Sequence, residues 1–591
     1  MLAFEFWYTL SLLVLLSIVL ISEIIETDIA IFSTLLLLVL GGVIDLSEAL
    51  IGFSNQGMLT VGLLFVVAAA VQRTGIFNLI SGKLMGKGGS TSVILLRFLP
   101  PIAAISAFFN NTPIVLMFIP SINSWARKNH RAVSKFLIPL SYASILGGIC
   151  TLIGTSTTLV VHGLMLDKGM KGLSFFEISK AGIPVAIAGL IIIITVGHRL
   201  LPERKDPITR LGTQTREFVV VMKTGTDYPH NGKSVEAAGL RHLRGLFLFQ
   251  IERNQHLINP VTPEEILRSG DRLFFTGLPE TIMELQRQPG LYILKDKTFD
   301  LKHFDSDKME ACEAVISTNS PLIGQNIRES NFRSTYNAVI IAIHRSGERI
   351  NNKIGDIVIR PGDTLLILSG HGFVDRWYHS RDFYLVSKST NPPTKPVKYS
   401  YISGGVLIGM ISLIVFNLMP VLLAVGLATI ILILSGSISP HDARNSIDWK
   451  VLLVIASAFG IARAMENSGL AAYMASHLIA LSHSTGALGM LATVYFMTSF
   501  YTETITNNAA AALVFPIAYS MAVQAGMDPM PFLIAVAIGA SASFATPIGY
   551  QTNLIVYGPG GYRFKDFLKI GIPMNLSIGI LAIPIIYFFY C

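Results

Sequence analysis

The sequence predicts an α-helical polytopic membrane protein built of inverted repeats, each of five transmembrane helices plus one re-entrant hairpin, separated by an α/β cytoplasmic insert of two tandem modules. Three observations carry this expectation. Of 591 residues, 51% are hydrophobic and 14% charged, with mean hydropathy +0.57, the balance produced by spans of ~20 apolar residues each. The charges are dense and mixed from about Arg199 to Lys398, whereas the flanks hold apolar runs at 10–21, 29–43, 183–196, 406–414 and 578–590. The two flanks also repeat each other, which sets the division into 1–200, 205–295, 296–392 and 398–591.

The first element, MLAFEFWYTLSLLVLLSIVLIS, lacks a basic leading region and a small-residue cleavage site, so it reads as a retained helix. The spans of the first half fall at 4–21, 28–45, 57–80, 136–166 and 180–199, with a hairpin at 92–123. Those of the second fall at 399–416, 420–437, 450–467, 530–558 and 571–590, with a hairpin at 487–521. An odd number of spans per half inverts the second half relative to the first.

Matching punctuation supports the repeat better than matching hydrophobicity does. A shift of 396 places Ser106, Asn110, Asn111, Thr112 and Pro120 on Thr502, Thr506, Asn507, Asn508 and Pro516. A shift of 395 lays TLIGTSTTLVVHG (151–163) over TPIGYQTNLIVYG (546–558), and FFEISKAGIP, ending at Pro184, matches FKDFLKIGIP, ending at Pro573. Backbone polar groups at mid-membrane depth need partners, so FNNTP and TITNNA read as hairpin tips and the two Gly-containing segments as broken helices. Four such interruptions should converge at the midplane. Helix N-termini there suit an anion, and unwound carbonyls suit Na+. Taken singly, the Asn pairs could be no more than helix caps or interhelical hydrogen bonds.

Orientation follows from Lys and Arg in short loops. ARKNHRAVSK (126–135) and YRFKDFLK (562–569) are basic, while QAGMDPM (524–530) is not, which puts the insert in the cytoplasm and both termini outside. DKGMKG (167–172) runs against this by placing two Lys outside. Glu503 has Ala107 at the matching place; an intramembrane carboxylate reads as functional, with a hairpin cap or a partner for nearby donors as the alternative. Arg463 reads as structural or snorkelling. Cys150, Cys312 and Cys591 show neither paired nor metal-ligand spacing. The formal charge of +8 fits basic cytoplasmic loops rather than nucleic-acid binding.

On these tips the chain resembles the divalent anion/sodium symporters of the ion-transporter superfamily, which include sodium-coupled sulfate and dicarboxylate carriers. Their tips carry Ser-Asn-Thr with Asn nine residues before Pro; here they read NNT (110–112) and TNN (506–508), and this departure bears on the dicarboxylate reading. The resemblance implies one Na+ site from Ser106, Asn110, Asn111 and Gly154, and another from Thr502, Ile505, Asn507, Ala545 and Pro547. It implies an anion between Asn110, Asn111, Thr112, Thr506, Asn507 and Asn508, near Thr157 and Thr546, with Thr552 as a further neutral donor. An elevator mechanism, a homodimer and a location in the cell (inner) membrane are implied with it. Sulfate is the first expectation and a dicarboxylate the second.

The insert repeats at a shift of 92, which places Gly232, Arg241, Arg253, Arg268, Gly270 and Asp271 on Gly324, Arg333, Arg345, Arg360, Gly362 and Asp363. Alternating strands before RSGD and RPGD turns resemble TrkA-C (RCK C-terminal) regulatory modules. That resemblance implies small ligands, nucleotides among them, at module interfaces. Arg241, Arg253, Arg333 and Arg345 are candidate phosphate partners, with solvated surface arginines as the alternative. The modules prompt a ligand-gated channel as a competing class, but no TVGYG-like filter is present. No Ser/His/Asp arrangement, HExxH or P-loop supports an enzyme.

Overall fold

The computed structural model describes residues 4–591 except 23–24, 75–84, 87–88, 205–218, 241–245, 255, 259–260, 278–287, 295–308, 318–319, 346–347, 351–353, 371–372, 378–379, 381, 388–396 and 483–485. The end of the expected third span, the outer edges of the insert modules and Arg241 lie outside the described residues.

In the first half, helices Phe4–Ser22, Thr27–Leu40 and Gln56–Thr74 precede an antiparallel hairpin formed by Thr91–Ser106 and Asn111–Lys128. Leu137–Gly148 and Ser156–Asp167 then flank a break, and Ser179–Ile192 continues through a wider turn at Ile193–Gly197 into His198–Leu200. The second half follows the same order. Val397–Val415, Val421–Leu434 and Trp449–Asn467 lead to the hairpin Gly486–Thr504 and Asn507–Gln524, the pair Pro529–Ser541 and Gln551–Tyr557 around a break, and the long Phe564–Tyr590 helix.

Span lengths depart from the expectation. Among the described residues, five helices are long and apolar enough to cross a membrane, and a bent pair makes a sixth. The expected spans 28–45 and 420–437 contain helices of only 14 residues each, Thr27–Leu40 and Val421–Leu434. At ~1.5 Å per residue each is about 21 Å long, short of a hydrocarbon core of ~30 Å. Turns at Gly42 and Gly436, both at positive φ, end them early. The expected spans 136–166 and 530–558 are each divided in two. Trp449–Asn467 ends at Gly469 (φ +73°), and Leu470–Ser482 leaves it at 72°; the sequence reading did not anticipate that helix.

Packing separates the two kinds of element. Leu137–Gly148 and Pro529–Ser541 are buried on every side, so their apolar residues face other helices. Phe4–Ser22 and Val421–Leu434 leave large apolar side chains such as Trp7, Ile18, Leu423 and Leu434 exposed, as a lipid-facing surface requires.

The insert forms two five-stranded antiparallel sheets. The first contains β1 (Val219–Thr224), β2 (Leu246–Arg253), β3 (His256–Ile258), β4 (Arg272–Gly277) and β5 (Leu291–Ile293) in the order β3-β2-β4-β1-β5. The second contains β6 (Met309–Ile316), β7 (Ala338–Arg345), β8 (Glu348–Arg349), β9 (Thr364–Gly370) and β10 (Phe383–Ser387) in the equivalent order β10-β6-β9-β7-β8. Register shifts recur at matching places, between Leu248 and Gln250 and between Ile340 and Ala342.

The repeated Arg and Asp residues have a structural task. Arg253 grips Asp271 through Nε and a terminal nitrogen, both at 2.8 Å, and Arg345 grips Asp363 at 2.8 and 2.7 Å. Each Asp also accepts from the backbone of the turn, Arg268 N at 2.8 Å and Arg360 N at 2.9 Å. Gly270 and Gly362 turn there at φ +90° and +79°. Bidentate pairing of this kind holds the Asp271 guanidinium partner above the ordinary arginine range. Arg253 and Arg345 are thus partly exposed side chains, each paired with an Asp of its own module. Arg333 donates to Val261 O at 3.1 Å, which joins the second module to the first.

The second module rests on the membrane half. Val315 is fully buried within the apolar core of the helical part, and Leu554 lies against Gly362. At Gly558 a side chain would overlap the Thr364 hydroxyl.

Candidate functional site

The helices of both hairpins begin at their second Asn-rich position, Asn111 and Asn507. The half-helices that follow the breaks begin at Ser156 and Gln551. Side-chain hydrogen bonds bring these four N-termini together in a crossed pattern. Thr112 of the first tip donates to Gln551 Oε1 of the second break at 3.0 Å. Asn508 of the second tip accepts from Ser156 at 3.1 Å and Thr157 at 3.4 Å, both in the first break. Under the repeat these contacts are counterparts, because Thr112 matches Asn508 and Ser156 matches Gln551.

Inside each hairpin the hydroxyl before the tip fixes the amide after it. Ser106 Oγ lies 2.6 Å from Asn111 Oδ1, and Thr502 Oγ1 lies 2.9 Å from Asn507 Oδ1. Each hydroxyl also reaches the neighbouring buried helix, Ser144 Oγ at 2.9 Å and Ala540 O at 2.7 Å. With their oxygens held this way, both amides present their nitrogens. Asn111 Nδ2 meets the Tyr550 hydroxyl at 2.5 Å.

Glycines permit this closeness. A Cβ on Gly148 would lie 2.7 Å from Asn111 Oδ1 and 2.7 Å from Thr155 Cγ2. One on Gly154 would overlap the Gly148 carbonyl, and one on its counterpart Gly549 would lie 2.5 Å from Ser543 Oγ and 3.0 Å from Glu503 Oε2.

Glu503 is bound up with the second break. Its Oε1 accepts from the backbone N of Phe544 (2.8 Å) and Ala545 (2.9 Å) and from Asn575 Nδ2 (2.7 Å); its Oε2 accepts from Thr546 N (2.8 Å) and Thr546 Oγ1 (2.9 Å). The carboxylate thus satisfies three consecutive N–H groups that the interrupted helix cannot. Of the two readings of this residue, a partner for nearby donors describes its contacts. In the first half two of the three matching N–H groups, those of Ile149 and Cys150, bond Ile145 O and Gly147 O instead.

The expected residues fall into two groups. Ser106, Asn110, Asn111, Thr112, Thr157, Thr502, Asn507 and Asn508 surround the crossed contacts. Gly154, Ile505, Ala545 and Pro547 are buried in the same tips and breaks. Thr546 and Thr552 are engaged elsewhere, Thr546 with Glu503 and Thr552 with Ser141 Oγ at 2.8 Å in a fully buried position. Their hydroxyls are not open to an anion in this conformation. Thr506 is exposed. Tyr550 and Gln551, which the sequence reading passed over, occupy the centre instead. The repeat alignment contained the signal, because it sets them on Thr155 and Ser156.

Beside the tips a small cavity of about 20 Å³ is lined by Phe108, Phe109, Asn110, Ile153 and Ser156 on one side and by Val61, Leu64, Phe65, Leu407 and Met410 on the other. It separates the first tip and break from helices Gln56–Thr74 and Val397–Val415. Such a site, with neutral donors from opposed tips beside an apolar cavity, can bind and release a small ion but offers no nucleophile and general-base pair for covalent chemistry.

Comparison with known proteins agrees with this chemistry. Residues 17–532 match the family model described as citrate transporter, CitMHS. The chain is 36% identical over 96% of its length to a putative sulfur deprivation response regulator of Chlamydomonas reinhardtii, of which 99% is covered. It is 31% identical over 94% of its length to an uncharacterized transporter of Synechocystis, covered to 92%. Sodium/sulfate cotransporter 2 of Chlamydomonas reinhardtii matches at 26% identity over 92% of this chain and 84% of its own. With a transporter model over most of its length and relatives that are transporters rather than enzymes, the chain belongs to the CitMHS citrate transporter family of integral membrane proteins.

Proposed function

We propose that the chain is a secondary active transporter that carries a small divalent anion, sulfate first, together with Na+, by an elevator-type movement of the hairpins and broken helices against the remaining helices. The observation that carries this reading is the crossed pairing of each hairpin tip with the break of the other half. It gathers helix N-termini and amide and hydroxyl donors without a Lys or Arg, an environment for an anion whose charge is balanced by co-bound Na+. Relatives named sodium/sulfate cotransporters favour sulfate and Na+. Na+ would sit within Ser106, Asn110, Asn111 and Gly154 in one half and Thr502, Ile505, Asn507, Ala545 and Pro547 in the other.

The proposed arrangement has inverted halves, both termini outside the cell (inner) membrane and the insert in the cytoplasm. The two sheets act there as TrkA-C-type regulatory modules that answer to a small ligand such as a nucleotide, and the protein works as a homodimer. A Na+-coupled dicarboxylate carrier is the second reading, favoured by a 27% match over 25% of the chain to the Na+/dicarboxylate cotransporter 3 of mouse. A ligand-gated channel is not favoured, since the matching proteins are carriers by name.

The test is uptake of labelled sulfate into proteoliposomes with and without an inward Na+ gradient. Gradient-driven uptake is expected in the wild type and its loss in Asn111→Ala and Asn507→Ala. Succinate uptake without sulfate uptake would replace the substrate and keep the coupling; single-channel currents would overturn the carrier itself.

A further inference from the structure

Tyr550 breaks the symmetry of the site. Its counterpart in the first half is Thr155, a small residue whose hydroxyl caps its own half-helix through Thr158 N at 3.3 Å. The Tyr550 phenol instead reaches the first hairpin tip and accepts from Asn111 Nδ2. It is 8% exposed, so the ring fills space that the repeat would otherwise leave between the tips.

We propose that Tyr550 is the specificity-determining residue that limits the site to compact anions. This rests on the anion site proposed above and deepens it to a substrate class, a single tetrahedral oxyanion. The phenol oxygen occupies the place where an acceptor oxygen would meet the Asn111 amide. An anion entering beside it meets Asn110 and Ser156, which line one cavity, and takes the Thr112 and Ser156 hydroxyls by releasing them from Gln551 and Asn508. Sulfate presents its oxygens around one atom and can use them without displacing the ring. A four-carbon dicarboxylate separates its carboxylates by two methylenes and needs the volume that the ring fills. The backbone at Gly549 cannot yield that volume, because it is packed against Ser543 and Glu503.

The experiment uses the purified full-length protein in Na+ and measures thermal stabilisation by sulfate, malonate and succinate, from which relative affinities follow by mass action. The wild type should be stabilised in that order. Tyr550→Thr, which installs the residue of the first half, should raise succinate affinity by on the order of tenfold or more relative to sulfate. Tyr550→Phe keeps the bulk, so it should leave the order of the three anions unchanged. An unchanged order in Tyr550→Thr, with stabilisation retained, overturns the inference and leaves the anion site standing. Stabilisation of neither protein by any anion overturns the site reading and this inference with it. If Tyr550→Thr does not fold, loss of the order in Tyr550→Phe still overturns it.

Discussion

A carboxylate at membrane depth costs several kcal/mol unless it is paired, and Glu503 is paired without a cation. Five donors at 2.7–2.9 Å divide its charge among backbone N–H groups, Thr546 and Asn575. Glu503→Gln keeps the shape but turns one acceptor oxygen into an NH2 group facing either Thr546 or the Phe544–Ala545 amides. The expected result is destabilisation on the order of 3 kcal/mol, the scale of one or two hydrogen bonds to a charged acceptor, read as a lowered unfolding temperature. An unchanged transition would remove Glu503 from the support of the break. The sequence left the role of this residue open because its donors come from residues 41–72 positions away, which no local pattern reveals. Tyr550 and Gln551 escaped notice for a related reason. They align with Thr155 and Ser156, and neither substitution preserves size, so the repeat marked their position but not their part in the site.

Punctuation made the elements legible, and helix length did not. Asn, Gly and Pro at matched positions located both hairpins and both breaks, since these residues end or start helices for local steric reasons. Apolar composition, by contrast, says that a segment avoids water and not how many of its residues are helical, so the sequence reading extends the short Thr27–Leu40 to a full span and leaves Leu470–Ser482 out. The breaks make a sharp prediction at Gly148. The Cβ of Gly148→Ala would press on Asn111 Oδ1 and Thr155 at 2.7 Å, displacing an amide that is otherwise fixed by Ser106. Steric strain of this kind costs ~1–3 kcal/mol. Uptake should show a raised KM for Na+ with the protein still folded; unaltered Na+ dependence would place Asn111 outside the cation site. A second test concerns the short Gln551–Tyr557 helix, which carries Gln551 at one end and adjoins the second insert module through Gly558 at the other. Gly558→Val should push Thr364 away and alter the rate of uptake while leaving the isolated insert's ligand binding intact. A normal rate would mean that the module does not act through this helix.

At the scale of the whole molecule, an elevator needs its moving part held in each end state by contacts that can break. Two ion pairs have the right position. Arg463, at the end of Trp449–Asn467, meets Asp167 at 2.9 Å, and Lys168 pairs with Glu466; both acidic and basic partners join the end of Ser156–Asp167 to that helix. Lys168, whose place in DKGMKG runs against the loop-charge rule, has its charge compensated by Glu466. Arg463 likewise has a partner rather than a route to the headgroups. Pairs of this exposure contribute up to ~1 kcal/mol each, so together ~1–2 kcal/mol favours the present conformation, a factor of about 5–30 in the ratio of conformers. Neutralising Arg463 and Glu466 together to Gln should therefore change the maximal uptake rate several-fold with little change in anion KM. Exchanging the charges, Asp167→Arg with Arg463→Asp, should bring the rate back toward the wild type. Because the exchange restores attraction but not the original side chains, recovery would identify the charge pair itself as the latch. A rate that is the same in wild type, neutralised and exchanged proteins would mean that the end of Ser156–Asp167 does not move against Trp449–Asn467 during transport, and the elevator reading would have to place its sliding surface elsewhere.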